Sequence, residues 1–385
     1  MDIAVICDVL GEENNGTTIA AMNLIRTLRA KGHQVRVVSP DANRAGEPGY
    51  YVVPTRNLGI FNNYVAKNGV SLAKPVRSIL EAALEGVDVV HVMVPFSLGH
   101  AAALISREKG IPLTAGFHCQ AENFSNHIFL MNAKLVNRWI YRFFYRRLYQ
   151  YCACVHYPTQ FICDLFERET KPTHHYVISN GVNRAFVRQD CPRPNELEGK
   201  NVILSTGRYS REKAQWVLID AVAKSRHRDQ IQLILAGKGP QQEALQRRAA
   251  KRGILPPIYG FYSRQDLIRI INLADLYVHP AEIEIEAIAC LEAIACGRVP
   301  VISNSPRSAT RYFALSERNL FRCNDSDDLA EQIDYWLEHP QEREACSRAY
   351  SGYARQFDFD RCMDAMEGML SLIHISEPTR HLRIS

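Results

Sequence analysis

Short apolar runs alternating with helix-period segments constrain this chain more than any other feature. Ile3 to Val9 reads as a strand, and Thr17 to Ala30 as a helix with Ile19, Met22, Leu24, Ile25 and Leu28 apolar. Gln34 to Ser39, Val87 to Val94 and Pro112 to Phe117 continue the series. The rhythm restarts at Asn201 to Ser205, then Ile231 to Ala236, Leu276 to His279 and Val299 to Ser303. Strands alternating with helices imply parallel sheets with right-handed crossovers. The predicted fold class is therefore α/β: two Rossmann-like, doubly wound parallel-sheet domains facing across a cleft, with ligands at the carboxyl ends of the strands. Between the runs, His174 to Lys200 carries Pro192 and Pro194 and few apolar residues after Phe186. That stretch is the predicted hinge. It sets an N-terminal domain over 1–178, a second over 179–345, and a helical segment, 346–369, that returns toward the first.

Residues 370–385 (LSLIHISEPTRHLRIS) change character abruptly. LSLIHISEPTR resembles the translation of a sequencing-library adapter, so this stretch is read as non-native and left out of the expected fold. Elsewhere the composition is that of a globular chain: 385 residues, 46% hydrophobic and 23% charged, enough for two cores. That excludes a disordered, collagen-like or disulfide-stapled chain. A formal charge of +5 is too mild for an obligate nucleic-acid binder, but leaves room for a local basic patch. The eleven cysteines form no CxxC, and Cys152 and Cys154 lack a second pair at zinc spacing. They read as reduced thiols of a cytoplasmic protein. The start, MDIAVICDV, enters a strand pattern without a signal-peptide n-region. The most apolar long window, Val87 to Ile105, contains Asp88, His91, Pro95 and His100 and is not a membrane span.

Chemistry concentrates in the second half. The strand LYVHP, 276–280, runs into AEIEIEAIACLEAIACG, 281–297, with Glu284 and Glu292 eight residues apart. A helix from about Ala287 sets the two carboxylates roughly 10 Å apart along its axis at 1.5 Å per residue. That span suits a nucleotide sugar, with the hexose at one acid, the ribose at the other, and backbone N–H groups at Ala287 and Ile288 aimed at the diphosphate. An acidic first turn complementing the helix dipole is the plainer account of the same acids. The second constellation, TGRYSREKAQW (206–216), places Arg208 and Lys213 between a strand and a helix. A lysine at a helix N-terminus is electrostatically misplaced unless an anion is near. A guanidinium and an ammonium together answer a diphosphate leaving group. The plainer account is a solvated basic turn. Gly237 and Gly239 follow the strand IQLILA, where they would let a nucleotide approach the backbone. Asn180-Gly181-Val182-Asn183 is a turn at the domain junction, and Gly16, in GEENNGTT (11–18), just precedes a helix. That loop is neither GxGxxG nor a P-loop.

These residues resemble the family 4 glycosyltransferases of GT-B fold, which are retaining enzymes. The resemblance rests on GRYSREK (207–213), the Glu284-x7-Glu292 pair with LEAIACGRVPVI after it, and Asn180-Gly181-Val182. It extends to about residue 369. It implies that Arg208 and Lys213 bind the donor diphosphate, that Glu292 holds the ribose, and that Glu284 contacts the sugar. Gly16, Gly237, Gly239, Ala287 and Ile288 join them as donor-binding positions. Where the family pattern is glycine-rich this chain has Ile285-Glu286-Ala287, so Glu282, Glu284 and Glu286 compete for the sugar; spacing favours Glu284. His118, in TAGFHCQAEN (114–123), matches the family's first-domain histidine beside the reaction centre. A satisfied core histidine is the plainer account. No DxD-like loop stands at a strand end, so neither a metal nor another cofactor is expected.

From Asn123 to Cys163 there is no acid until Cys163 is passed, yet Lys134, Arg138, Arg142, Arg146 and Arg147 fall here. Arg138, Arg142 and Arg146 recur every four residues beside an aromatic ridge of Trp139 and Phe143. Such a helix suits the surface of an anionic membrane, although a core helix with solvated arginines gives the same pattern. The segment resembles bacterial diacylglycerol glucosyltransferases within the family. The resemblance implies transfer of a hexose, glucose foremost, from a UDP-sugar to a lipid hydroxyl such as diacylglycerol, at the inner face of the membrane. The alternatives are a soluble or polyprenyl-linked glycan acceptor, or a non-catalytic sugar-nucleotide-binding protein. A nucleic-acid partner is not expected, because the basic ridge is single and short.

Overall fold

The computed structural model describes residues 1–8, 10, 16–56, 72–122 and 133–381, with side chains through 375. The chain forms two compact units, Met1–Asn180 with Asp360–Ser385, and Gly181–Phe359.

The first unit is built on a seven-stranded parallel sheet. Its strands are β1 (Asp2–Ile6), β2 (Gln34–Ser39), β3 (Tyr50–Val52), β4 (Val89–Val92), β5 (Leu113–Gly116), β6 (Cys154–Tyr157) and β7 (His175–Val177), ordered β3-β2-β1-β4-β5-β6-β7. Its helices are α1 (Gly16–Ala30), α2 (Arg77–Ala83), α3 (Ser97–Lys109), α4 (Lys134–Arg147) and α5 (Gln160–Glu169). All residues of β4, β5 and β6 are buried, as expected of strands covered on both faces. The sequence pattern misses β3, β6 and β7. β3 and β7 span three residues each, and the Cys-Val-His-Tyr of β6 lacks a plain aliphatic run.

The second unit has a six-stranded parallel sheet: β8 (Asn201–Thr206), β9 (Ile231–Ala236), β10 (Ile258–Gly260), β11 (Leu276–His279), β12 (Pro300–Ser303) and β13 (Leu320–Phe321). The order is β10-β9-β8-β11-β12-β13, which in the unit's own count is the Rossmann order 3-2-1-4-5-6. The connecting helices are α6 (Gln215–Lys224), α7 (Gln242–Arg252), α8 (Arg264–Leu273), α9 (Ile288–Ala295), α10 (Ser326–Glu338) and α11 (Pro340–Tyr353). One face of the sheet packs Val217, Leu218, Leu233 and Ile333, and the other packs Leu204, Ile271, Leu291 and Ile294.

The segment 346–369 divides between the units. α11 belongs to the second, where Ser347 donates to Gly297 O at 2.5 Å and Tyr350 OH donates to Phe313 O at 3.1 Å. From Asp360 the chain rejoins the first unit as α12 (Phe359–His381). Cys362, Met363, Met366 and Met369 form its buried stripe, which continues through Leu370 and Ile373 at helical spacing. The residues set aside from the fold at 370–385 thus supply the last buried positions of that stripe, because LSLI keeps the period. Lys31 pairs with Asp364 and, at 2.6 Å, with Glu367, which also receives His33 Nε2 at 2.7 Å. Leu370→Ala is expected to lower the unfolding free energy by about 2–4 kcal/mol in urea titrations. An unchanged midpoint would show that the stripe ends at Met369.

Candidate functional site

The second sheet reverses its strand order between β8 and β11, and parallel sheets bind ligands at the carboxyl ends flanking such a reversal. β8 delivers Gly207, at φ +139°, and then half-buried Arg208. Buried Tyr209 anchors this turn, its hydroxyl donating to Leu235 O at 2.5 Å. A 3-10 turn, Arg211–Lys213, carries Lys213, and Ala214 at φ +50° opens α6. The sequence pattern gave a plain loop here. Tyr209 N donates to Lys238 O at 3.1 Å, and Gln241 N donates to Tyr209 O at 3.0 Å.

This arrangement changes the reason for Gly237 and Gly239. A Cβ on Gly237 would lie 2.0 Å from Gly207 O, and one on Gly239 2.5 Å from Tyr209 O. The glycines let two backbone turns meet, which fixes the turn bearing Arg208. Their expected role of admitting a nucleotide is not required to explain them.

From β11 the chain passes His279 and Pro280 to the competing acids. Glu282 pairs with Arg307 at 2.8 Å, and Glu286 is buried. Glu284 lies against Lys213, forming an ion pair, and 2.9 Å from His279 Nε2. Its backbone is held by Ala309 N, which donates to Glu284 O at 2.9 Å. Burial alone would raise this carboxyl. The Lys213 ammonium and the His279 ring outweigh it and bring Glu284 down to about 2. Three residues on, Ala287 stands at φ +60° as the N-cap of α9, and no side chain caps that helix. Cys290 N of the first turn donates to Ala287 O at 2.9 Å, and the N–H of Ile288 lies at the end open to an anion. Within α9, burial pushes Glu292 up to about 8, against the opposing pull of Arg264.

In the first unit, His118 follows β5. Burial and the neighbouring His156 and His91 hold its imidazole well below the ordinary histidine range. The His118 and His156 rings meet edge to face at 5.7 Å. A Cβ on Gly116 would stand 2.5 Å from His118 Nε2, so this glycine makes room for the ring. Gly16 opens α1 and is exposed, and a Cβ there would meet nothing within 4 Å. Its neighbours 11–15 and residues 123–132 lie outside the described residues.

α4 separates its faces sharply. Asn137, Ile140, Tyr141 and Phe144 are buried, with Tyr141 stacked on Phe117. Lys134, Arg138, Arg142 and Arg146 are exposed, together with Leu135 at 82%, Trp139 at 66% and Phe143 at 40%. Trp139 and Phe143 stack at 5.5 Å on the outer face. Among the described residues, no helix is long and apolar enough to cross a membrane.

Among the described residues, the group able to hold a metal is Cys163, Glu167 and His175, at α5 and β7. There Glu167 Oε1 already accepts from Thr173 N at 2.9 Å and Thr173 Oγ1 at 2.7 Å, and lies 2.9 Å from His175 Nδ1. Sequence reasoning overlooked His279, Tyr277 and Thr206, which back Glu284; a histidine directly before proline at a strand end was the available signal.

Residues 14–186 match the family described as Glycosyltransferase Family 4, and residues 187–351 match Glycosyl transferases group 1. A GDP-mannose-dependent alpha-mannosyltransferase of Corynebacterium glutamicum is 24% identical, across 98% of this chain and 90% of that protein. An alpha-monoglucosyldiacylglycerol synthase of Streptococcus pneumoniae is 24% identical across 79% and 71%. The crystal structure of Anabaena Alr3699/HepE in complex with UDP and glucose has a TM-score of 0.76 at 18% identity, covering 96% of this chain and 99% of that one. Its GT-B fold is that of the present chain.

The raised carboxyl of Glu292 gives a signed pH dependence. The folded chain keeps this proton to about pH 8 while the unfolded chain releases it near 4.5, so its contribution to stability is full below 4.5 and lost as pH rises through 8. Glu292→Gln is therefore expected to raise the urea midpoint above pH 8 and leave it unchanged near pH 4. Equal effects at both ends, in paired urea titrations, would remove the buried-proton account.

Proposed function

Because the chain belongs to the family 4 glycosyltransferases, we propose that it moves glucose from UDP-glucose to the hydroxyl of a membrane lipid such as diacylglycerol, with retention at the anomeric carbon. The observation that carries this reading is the meeting of Lys213 and Glu284 at the strand-order reversal, three residues before an uncapped helix N-terminus. A cation, an anion and free backbone donors at one strand end answer the three parts of an activated sugar: diphosphate, sugar hydroxyls and the charge that develops between them.

In this reaction the bond from the anomeric carbon to the β-phosphate oxygen breaks, and negative charge collects on UDP. Arg208, Lys213 and the N–H groups of Ala287 and Ile288 stabilise that charge. They serve in place of a divalent ion. The acceptor oxygen bonds to the anomeric carbon on the face the phosphate leaves, as retention requires. Its proton passes to the departing phosphate oxygen, the nearest base on that face. Glu284 holds a hydroxyl of the sugar, and Glu292 holds the ribose. The uncharged imidazole of His118 is assigned to the transferred sugar.

The exposed face of α4 supports a lipid acceptor. Leu135, Trp139 and Phe143 offer an apolar strip to the headgroup boundary, between cations that favour an anionic inner leaflet. The Streptococcus pneumoniae relative, named for a glucosyldiacylglycerol, supports the same acceptor class. The Corynebacterium glutamicum relative favours a second donor reading, GDP-mannose, on the same machinery.

Incubating the protein with a bacterial lipid extract and UDP-glucose, or GDP-mannose, is expected to yield one glycolipid by mass spectrometry. Arg208→Ala and Lys213→Ala should each lower its rate by about 100-fold or more. Undiminished rates would refute the leaving-group assignment; products found only on glycans would refute the lipid acceptor. Binding of nucleotide sugar without transfer or hydrolysis would leave a binding protein.

Membrane association has its own test. Replacing Arg138, Arg142 and Arg146 by alanine removes about 1 kcal/mol per charge at an anionic surface. Co-sedimentation with phosphatidylglycerol vesicles should fall accordingly, and raised salt should mimic the loss. Equal sedimentation with neutral vesicles would exclude the basic ridge as the anchor.

A further inference from the structure

Behind Glu284 lies a line of buried side chains whose proton arrangement can be worked out. Thr206 Oγ1 lies 2.8 Å from Tyr277 OH, Tyr277 OH lies 3.1 Å from His279 Nδ1, and His279 Nε2 lies 2.9 Å from Glu284 Oε1. Thr206, Tyr277 and His279 are all buried. The line joins the end of β8 to β11, and through β11 to the loop that carries Glu284.

A carboxylate only accepts, so His279 Nε2 carries a hydrogen. Lys213 already supplies a positive charge to Glu284, so the line needs no second one. In a neutral ring Nδ1 then holds a lone pair, and the Tyr277 hydroxyl donates to it. The Tyr277 oxygen is left to accept, and Thr206 donates. Each member fixes the tautomer or rotor of the next, as outer hydrogen bonds do for metal-binding histidines. Among the described residues, both side-chain contacts of the Glu284 carboxylate, from Lys213 and from His279, fall on Oε1. Oε2 is the oxygen presented to a ligand.

Donor binding creates a conflict at this point. The Lys213 ammonium has three donors, and charge developing on a diphosphate would draw it from the Glu284 carboxylate. We propose that Thr206, Tyr277 and His279 are positioning residues that hold Glu284 by Oε1, and so aim Oε2 at the donor sugar, while Lys213 turns to the phosphate. The inference rests on the glycosyl-transfer reading. Its substance is that Glu284 has two holders with different duties: one exchanges partners during the reaction, and the other stays.

The test uses the full chain with His279→Gln, His279→Phe and Tyr277→Phe. The glutamine amide nitrogen can occupy the place of Nε2, whereas phenylalanine offers no donor. With whichever of UDP-glucose and GDP-mannose the wild type consumes, His279→Phe should lower kcat by about tenfold, the worth of one hydrogen bond to a charged group. KM for the donor, and the calorimetric affinity for the bare nucleoside diphosphate, should hold. His279→Gln should recover most of kcat. Equal losses in the two variants, or a loss carried by nucleotide affinity, would overturn the proposal. Nitrogen-15 spectra of histidine-labelled protein give a second readout, with the His279 signal assigned from its absence in His279→Gln. Nε2 should carry the hydrogen in the wild type, and Tyr277→Phe, which removes one oxygen and keeps the ring, should abolish that single tautomer. A hydrogen on Nδ1 in the wild type would overturn the line. If the wild type consumes neither donor, the functional reading falls by itself, and the tautomer still decides the line.

Discussion

The contact between Lys213 and Glu284 is the constraint around which the second unit's site is arranged. The two residues are 71 positions apart and reach each other only because β8 and β11 are neighbours in the sheet. Every support around them serves that meeting. Tyr209 anchors the turn before Lys213 by its hydroxyl, and the Gly237 and Gly239 backbone closes on that turn from β9. Arg307 engages Glu282, a neighbouring acid of the same loop. A buried carboxylate without a partner would be several kcal/mol uphill, so the ion pair is what allows an ionised acid to wait in a half-buried pocket.

The backbone stores cost at the same place. Two alanines, Ala214 and Ala287, adopt left-handed conformations that disfavour any side chain by about 1–2 kcal/mol. Both stand immediately before helices, α6 and α9, and neither helix has a side-chain cap. Glycine would relieve that strain, whereas serine or aspartate caps first-turn amides from an extended backbone. Alanine adds no side-chain acceptor there, although Val217 N and Cys290 N donate to the alanine carbonyls at 2.9 Å.

Much of this was legible in the sequence because its signals are local. Strand–helix alternation specifies parallel sheets, and the spacing of Glu284 and Glu292 specifies which acids flank a helix start. The short edge strands β3, β7, β10 and β13 were not legible, since two or three residues carry no period. Nor was the line from Thr206 to His279, whose members lie 71 and 2 residues apart and have no common motif. Gly237 and Gly239 show a subtler gap. Their position past a strand was visible, but the physical reason for them is a turn some thirty residues earlier. α12 shows the converse, for an abrupt change of composition at Leu370 does not interrupt the 3.6-residue stripe that buries Ile373.

His118 and the exposed face of α4 differ in how far burial can explain them. His118 sits among His91 and His156, and desolvation makes a neutral cluster the low-energy state, with Gly116 giving the ring its room. A packed core therefore accounts for the position of that histidine, and catalysis would only borrow it. α4 admits no such account. Its buried residues are Asn137, Ile140, Tyr141 and Phe144, of which Tyr141 meets Phe117 and Phe166. Large apolar side chains exposed to water are a standing cost, about 25 cal/mol per Å² of apolar surface. Cations at four-residue spacing beside them are what the proposed membrane surface, an apolar layer bounded by negative charge, would engage.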